Sequence, residues 1–132
     1  MSTTAEGLRG TLSLSLTVKD IHTSLPWYRD VLGFTVVRTR EQDGKLRSVT
    51  LSGGEVRLAL NQDDCARGWT RVKGEGFSLN LTTTQDVDAL AQGIKARGGA
   101  LETEPADMPW GARAFRLRDP DGYRLSISSP RP

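Results

Sequence analysis

The chain has few of the residues that most enzymes use for chemistry. Its 132 residues include one cysteine, Cys65, and one histidine, His22. A lone cysteine excludes an internal disulfide and suits a reducing compartment, so a cytoplasmic setting is expected. Cys65 follows Asp63 and Asp64, and carboxylates beside a thiol disfavour the thiolate that a nucleophile needs. His22 stands at the start of a predicted helix, where it cannot complete a nucleophile–His–acid set. No apolar run approaches the roughly 20 residues of a membrane span. The opening "MSTTAEGLRG" holds no apolar signal-peptide core, and residues 1–9 are expected to form a mobile tail. The formal net charge is only +2, and no Lys/Arg run exceeds two residues, so nucleic acid and membrane are not expected partners. "GGEVRLAL" and "KGEG" lack the Lys-Ser/Thr of a phosphate loop and open no helix; their glycines mark turns.

What is present is alternation. Hydrophobic residues make up 36% of the chain and charged residues 26%, the composition of one ordinary globular domain. "LSLSLTV" (12–18) alternates Leu12, Leu14, Leu16 and Val18 against Ser13, Ser15 and Thr17, which predicts a half-buried strand. Asp20 then reads as a helix N-cap. Ile21, Leu25, Tyr28, Val31 and Leu32 follow at helical spacing, and Gly33 stops the helix. Pro26 lies early in it and is expected to cost little more than one hydrogen bond. Three more strands are expected at 34–39, 47–51 and 56–61. The second half repeats the order: a strand at 77–83, an Asp86-capped helix carrying Val87, Leu90, Ala91 and Ile94, then strands at 100–104, 112–118 and 123–128. Asp119-Pro120-Asp121-Gly122 forms the last turn. Asp20 and Asp86 stand 66 residues apart, so the chain is one unit repeated once. A single α+β domain is expected over 10–132, made of β-α-β-β-β modules at 10–62 and 76–129 joined by a polar linker, 62–76.

"TVKDIHTSLPWYRDVLGF", "TTTQDVDALAQGIKARGG" and "PWGARAFRLRDPDG" resemble the vicinal oxygen chelate superfamily, which includes glyoxalase I, extradiol dioxygenases and bleomycin-resistance proteins. The resemblance implies paired β-α-β-β-β modules that curve around a concave pocket, often in a homodimer. It also implies, in the metal-dependent members, a His or Gln on the first strand of each module and a Glu on the last. Carried onto this chain, those positions fall on Ser13, Ala59, Ser78 and Ser126. A hydroxyl or a methyl is a poor ligand for a borderline divalent ion. No metal and no cofactor is therefore expected, and the resemblance narrows to the bleomycin-resistance branch, which binds rather than transforms.

The polar strand faces supply the candidate ligand-binding residues: Ser13, Ser15, Arg57, Asn61, Ser78, Asn80, Arg116 and Ser126, with Arg118 and Arg124 on the same faces. Serine, asparagine and guanidinium groups together suit a planar, oxygen-rich or anionic ligand. The same alternation also describes a sheet face turned to water. Two tryptophans join the candidates. Trp110 precedes Gly111 at a strand start, either as a stacking edge of the pocket or packed under its own loop. Trp69, in the polar linker, reads as a lid or a dimer contact. The acidic pairs Asp63/Asp64 and Glu102/Glu104 read as solvated charges. Three functions fit: metal-independent binding of a small molecule; a glyoxalase-like lyase, isomerase or dioxygenase-related enzyme with an altered metal site; and a dimerisation module with a vestigial pocket.

Overall fold

A computed structural model describes residues 7–66, 68 and 72–130. Most of the expected tail, and Trp69, lie outside the described residues. The elements are β1 (Ser13–Val18), α1 (Ile21–Pro26), β2 (Thr35–Gln42), β3 (Lys45–Gly53), β4 (Val56–Gln62), β5 (Leu79–Thr82), α2 (Val87–Ala96), β6 (Leu101–Asp107), β7 (Ala112–Arg118) and β8 (Arg124–Pro130). They form two open four-stranded sheets, β1-β4-β3-β2 and β5-β8-β7-β6. In each, the first strand runs parallel to the last and the other pairs are antiparallel. This is the expected α+β arrangement of two β-α-β-β-β modules. No helix of the described residues is long and apolar enough to cross a membrane.

Alternation sets which face each strand buries. Leu16 and Val18 on β1, Leu58 and Leu60 on β4, and Leu125 and Ile127 on β8 enter one core with Tyr28 and Phe115. β5 is shorter than the expected 77–83, and its register has Leu79 paired with Leu125 and Asn80 with Ser126, so Leu79 is buried and Asn80 is exposed. Two expectations need correction. Leu12 precedes β1, whose pairing with β4 begins at Ser13, and it is exposed. The first helix is not α-helical throughout. Asp20 caps it by accepting from the His22 amide at 3.0 Å, but beyond Pro26, which has no N–H to donate, residues 27–31 form a π-helical turn. There the Leu32 amide reaches back to the Trp27 carbonyl at 3.1 Å.

The second helix keeps its expected form. Asp86 accepts from the Asp88 and Ala89 amides. At the other end the Gly99 amide donates to the Ile94 carbonyl and the Gly98 amide to the Lys95 carbonyl, with Gly98 at φ +93°. That double bond pattern needs a left-handed residue, which glycine adopts without penalty.

The two modules are tied together by the turn at 119–122. The Tyr28 hydroxyl donates to Asp119 Oδ2 at 2.7 Å. Asp119 Oδ1 accepts from the Asp121 and Tyr123 amides, both at 2.9 Å. Asp121 takes the Lys19 amide at 3.0 Å and the Ser24 hydroxyl at 3.2 Å. The Tyr123 hydroxyl donates to the Thr17 carbonyl at 2.7 Å. The turn therefore secures the first module to the second, and the polar strand faces are left outside the shared core.

Candidate functional site

The strand register turns the alternating residues into rows. On the first sheet Ser13 sits beside Arg57 and Ser15 beside Ala59, while Asn61 lies between Thr17 and Ser48. On the second sheet Asn80, Ser126 and Arg116 form one row across β5, β8 and β7, and Arg118 faces Arg124 at the end of the β7–β8 ladder. Most of these side chains are exposed; Thr17, Ser48, Ala59, Asn61 and Ser126 are half-buried.

Two clefts open on these faces. One, of about 740 Å³, lies between the unpaired edges of β1 and β5 and contains Arg57, Ser78 and Asn80 beside Leu12, Leu14 and Phe77. The other, of about 580 Å³, joins Ser78 to Arg118 and Arg124 under the segment 72–77. A third groove, of about 560 Å³, runs between the modules along Phe34, Val56, Leu81 and Ile94 and is mainly apolar. The structure thus brings Arg57, Ser78 and Asn80 together, and Asn80, Ser126 and Arg116 together. Ser13, Ser15 and Asn61 lie on the same polar face of the first sheet but line none of the three clefts. Trp110 stands apart: it is 69% exposed at the tip of the β6–β7 hairpin and does not pack under its own loop. Phe77, next to the Gly74–Gly76 turn, is an apolar cleft residue that the sequence reading did not single out. An aromatic directly after paired glycines was the signal available for it.

The charges on these faces are unequal. Arg118 Nε donates to Glu102 Oε2. That bond holds the Glu102 carboxyl below the ordinary carboxylate range, and the charges of Arg118, Arg124 and Arg116 push the same way. Glu104, another expected solvated acid, is paired at the surface with Lys95 at 2.7 Å, and Asp107 lies 3.0 Å from Arg113. Asp63 departs from its expected solvated state. Its carboxylate is 3.0 Å from Lys73 Nζ, with only 6% and 4% of the two side chains exposed. A carboxylate can be buried there because an ammonium is buried with it. The carboxyl of Asp119 is shifted upward by burial, partly offset by the Tyr28 hydroxyl and the two amides it accepts from. Burial, reinforced by Asp119, pushes the Tyr28 phenol well above its usual range.

The first- and last-strand positions come out equivalent in the two modules. Ser13 lies beside Arg57, two residues before Ala59; Ser78 immediately precedes β5, whose register sets it near Arg124, two residues before Ser126. The four offer three hydroxyls and a methyl, and no group of three or more His, Cys, Asp or Glu side chains that could hold a metal ion occurs among the described residues. This donor set does not fit a divalent cation.

The sequence model of the glyoxalase/bleomycin resistance protein/dioxygenase superfamily matches residues 10–127. The chain belongs to that superfamily. Among curated relatives, the lactoylglutathione lyase of Haemophilus influenzae is 25% identical over 120 residues, covering 88% of this chain and 89% of that protein. A protein of Vibrio parahaemolyticus named "Probable lactoylglutathione lyase" is 30% identical over 123 residues, covering 88% and 87%. Among solved structures, a superfamily member from Sphaerobacter thermophilus superposes with a TM-score of 0.74 at 28% identity, covering 92% of this chain and 98% of that one. TioX from Micromonospora sp. ML1 superposes with a TM-score of 0.72 at 20% identity, covering 92% and 99%, a likeness of fold.

Proposed function

We propose that this superfamily member binds a small aromatic or oxygen-rich anion on the polar faces of its sheets without a metal ion, as bleomycin-resistance-type sequestration proteins do. One observation carries the reading. The resemblance carries the family's metal positions onto Ser13, Ala59, Ser78 and Ser126, and the faces that display these residues carry guanidinium groups. Arg57, Arg116 and Arg124 make no ion pair among the described residues, and a guanidinium offers a planar fork to carboxylates and phosphates. Ser78 and Asn80 add neutral hydrogen-bonding groups beside Arg57. Trp110 and Trp69 are the proposed aromatic contacts. A homodimer belongs to the same proposal, supported by the unpaired edges of β1 and β5 and by the exposed Leu12 beside them.

The test is a screen of aromatic natural products by tryptophan fluorescence quenching in the presence of a chelator. The proposal expects saturable, stoichiometric binding with no product formed. Light scattering on the same sample reports whether the mass is that of two chains. The names of the curated relatives favour a second reading, an enzyme of the lactoylglutathione lyase type. Turnover of lactoylglutathione that rises on adding nickel or zinc would replace the binding reading with that one.

A further inference from the structure

The cleft under the segment 72–77 is more specific than the faces around it. Arg118 and Arg124 are directly opposed across the β7–β8 ladder. Like charges in that relation repel. Glu102 relieves Arg118 only, and Arg116, one pair further along, lies opposite the neutral Ser126. Glu75, the acid in the cleft wall, forms no ion pair with either guanidinium. Arg29 pairs with Asp30 and Arg113 with both Asp88 and Asp107, whereas Arg124, like Arg57 and Arg116, makes no ion pair among the described residues. A pair compensated on one side only, at the end of a ladder, therefore leaves positive potential centred on Arg124 in the wall of a cleft of about 580 Å³.

Phe77 and the turn at 74–76 form another part of the wall of that cleft. A Cβ on Gly74 would lie 2.9 Å from Tyr123 Cδ1 and 3.2 Å from its Cα, so only glycine lets this turn lie against the Tyr123 ring. Phe77 sits 5.7 Å from the same ring, centre to centre, and remains 44% exposed. Tyr123 is in turn anchored through its hydroxyl to the Thr17 carbonyl. The result is an apolar ring face next to two guanidiniums, with the Ser78 hydroxyl between the two clefts.

We propose that this cleft is the subsite for the charged end of the ligand: an aryl oxyanion, its carboxylate or phosphate head held between Arg118 and Arg124 and its ring laid against Phe77. The inference rests on the binding reading above and assigns it a chemical class and a place. It is tested by titrating the full chain, labelled for amide and arginine Nε signals, with phenyl phosphate, benzoate and the neutral benzyl alcohol. The two anions are expected to give saturable shifts at Phe77, Ser78 and Arg124, weakening with added salt, while benzyl alcohol gives none. A stronger response to one anion than the other tells phosphate from carboxylate. Arg124→Gln is expected to weaken anion binding about tenfold, and Arg118→Gln to do the same from the other side. Glu102→Gln, which frees Arg118, is expected to strengthen it. Failure of both anions to saturate, equal binding of benzyl alcohol, or unchanged affinity in both arginine variants overturns the inference. A compound from the aromatic screen that binds Arg124→Gln and Arg118→Gln as tightly as the native chain sinks this subsite and leaves the wider binding reading standing. Tight retention of a divalent ion does the reverse.

Discussion

Replacing Tyr28 by Phe tests how the two modules are held together. The change removes one hydroxyl and almost no volume, so the core around Tyr28 stays filled. What is lost is the 2.7 Å bond to Asp119 Oδ2. A hydrogen bond to a charged group is worth about 1.5–3 kcal/mol, more when its loss strands a buried acceptor. Asp119 keeps two amide donors, so about 2 kcal/mol is the expected cost. For a chain of this length that lowers Tm by roughly 8 °C. The pH dependence gives the sharper test. Burial raises the folded Asp119 pKa above its ordinary 3.8. Its contribution to stability is therefore fully present below pH 3.8 and is lost as pH rises through the folded value. The Tyr28 hydroxyl favours the charged carboxylate, so its absence is felt most above that folded value and least below it. Urea unfolding of the native chain and of Tyr28→Phe at about pH 7.5 and about pH 4 should show a gap that shrinks on acidification. A gap that is the same at both values, or a Tm loss under about 2 °C at neutral pH, would refute the reasoning.

Three further outcomes follow from the packing. Lys73→Met leaves the Asp63 carboxylate buried without its ammonium and should cost about 3–5 kcal/mol by urea unfolding. Lys73→Met combined with Asp63→Leu should recover much of that loss, because both members of the buried pair are then replaced by apolar side chains. Gly99→Ala places a Cβ 2.5 Å from Ile94 Cγ2 and 2.7 Å from Val31 Cγ1, where the ends of the two helices meet. It should lower stability by about 1–3 kcal/mol in thermal unfolding, and an unchanged Tm would show that Val31 and Ile94 move aside without strain.

Strand faces were legible in the sequence because their side-chain period is two and one face is buried. A slip of one residue in β5 would have exchanged Leu79 for Asn80, and the Leu79–Leu125 pair shows why it does not occur. Both helix starts were legible from Asp20 and Asp86, whose carboxylates satisfy first-turn amides. The π-helical turn was not. The spacing of Ile21, Leu25, Tyr28 and Leu32 suits a regular helix and carries no sign that the Leu32 amide bonds the Trp27 carbonyl. Asp63 was misread because its partner, Lys73, lies ten positions on in the linker; a long-range ion pair leaves no mark on local pattern. Asp119 and Asp121 were legible as turn residues, whereas their bonds to Tyr28, Ser24 and Lys19 depend on how the modules meet. The candidate site was legible as faces and not as clefts. Alternation placed Arg57, Ser78, Asn80, Arg116 and Ser126 on polar faces, but which of them share a cleft is decided by the β1 and β5 edges and by the turn at 74–76.

The central claim is that this fold binds its ligand without a metal ion, and metal content tests it most directly. The purified chain, stripped with a chelator, would be incubated with zinc, nickel, manganese and iron(II), desalted and assayed for bound metal by mass spectrometry. Three hydroxyls and a methyl at Ser13, Ser78, Ser126 and Ala59 predict that no ion is retained near stoichiometry. One ion held per chain would contradict the account and move the metal-dependent enzyme reading ahead of it.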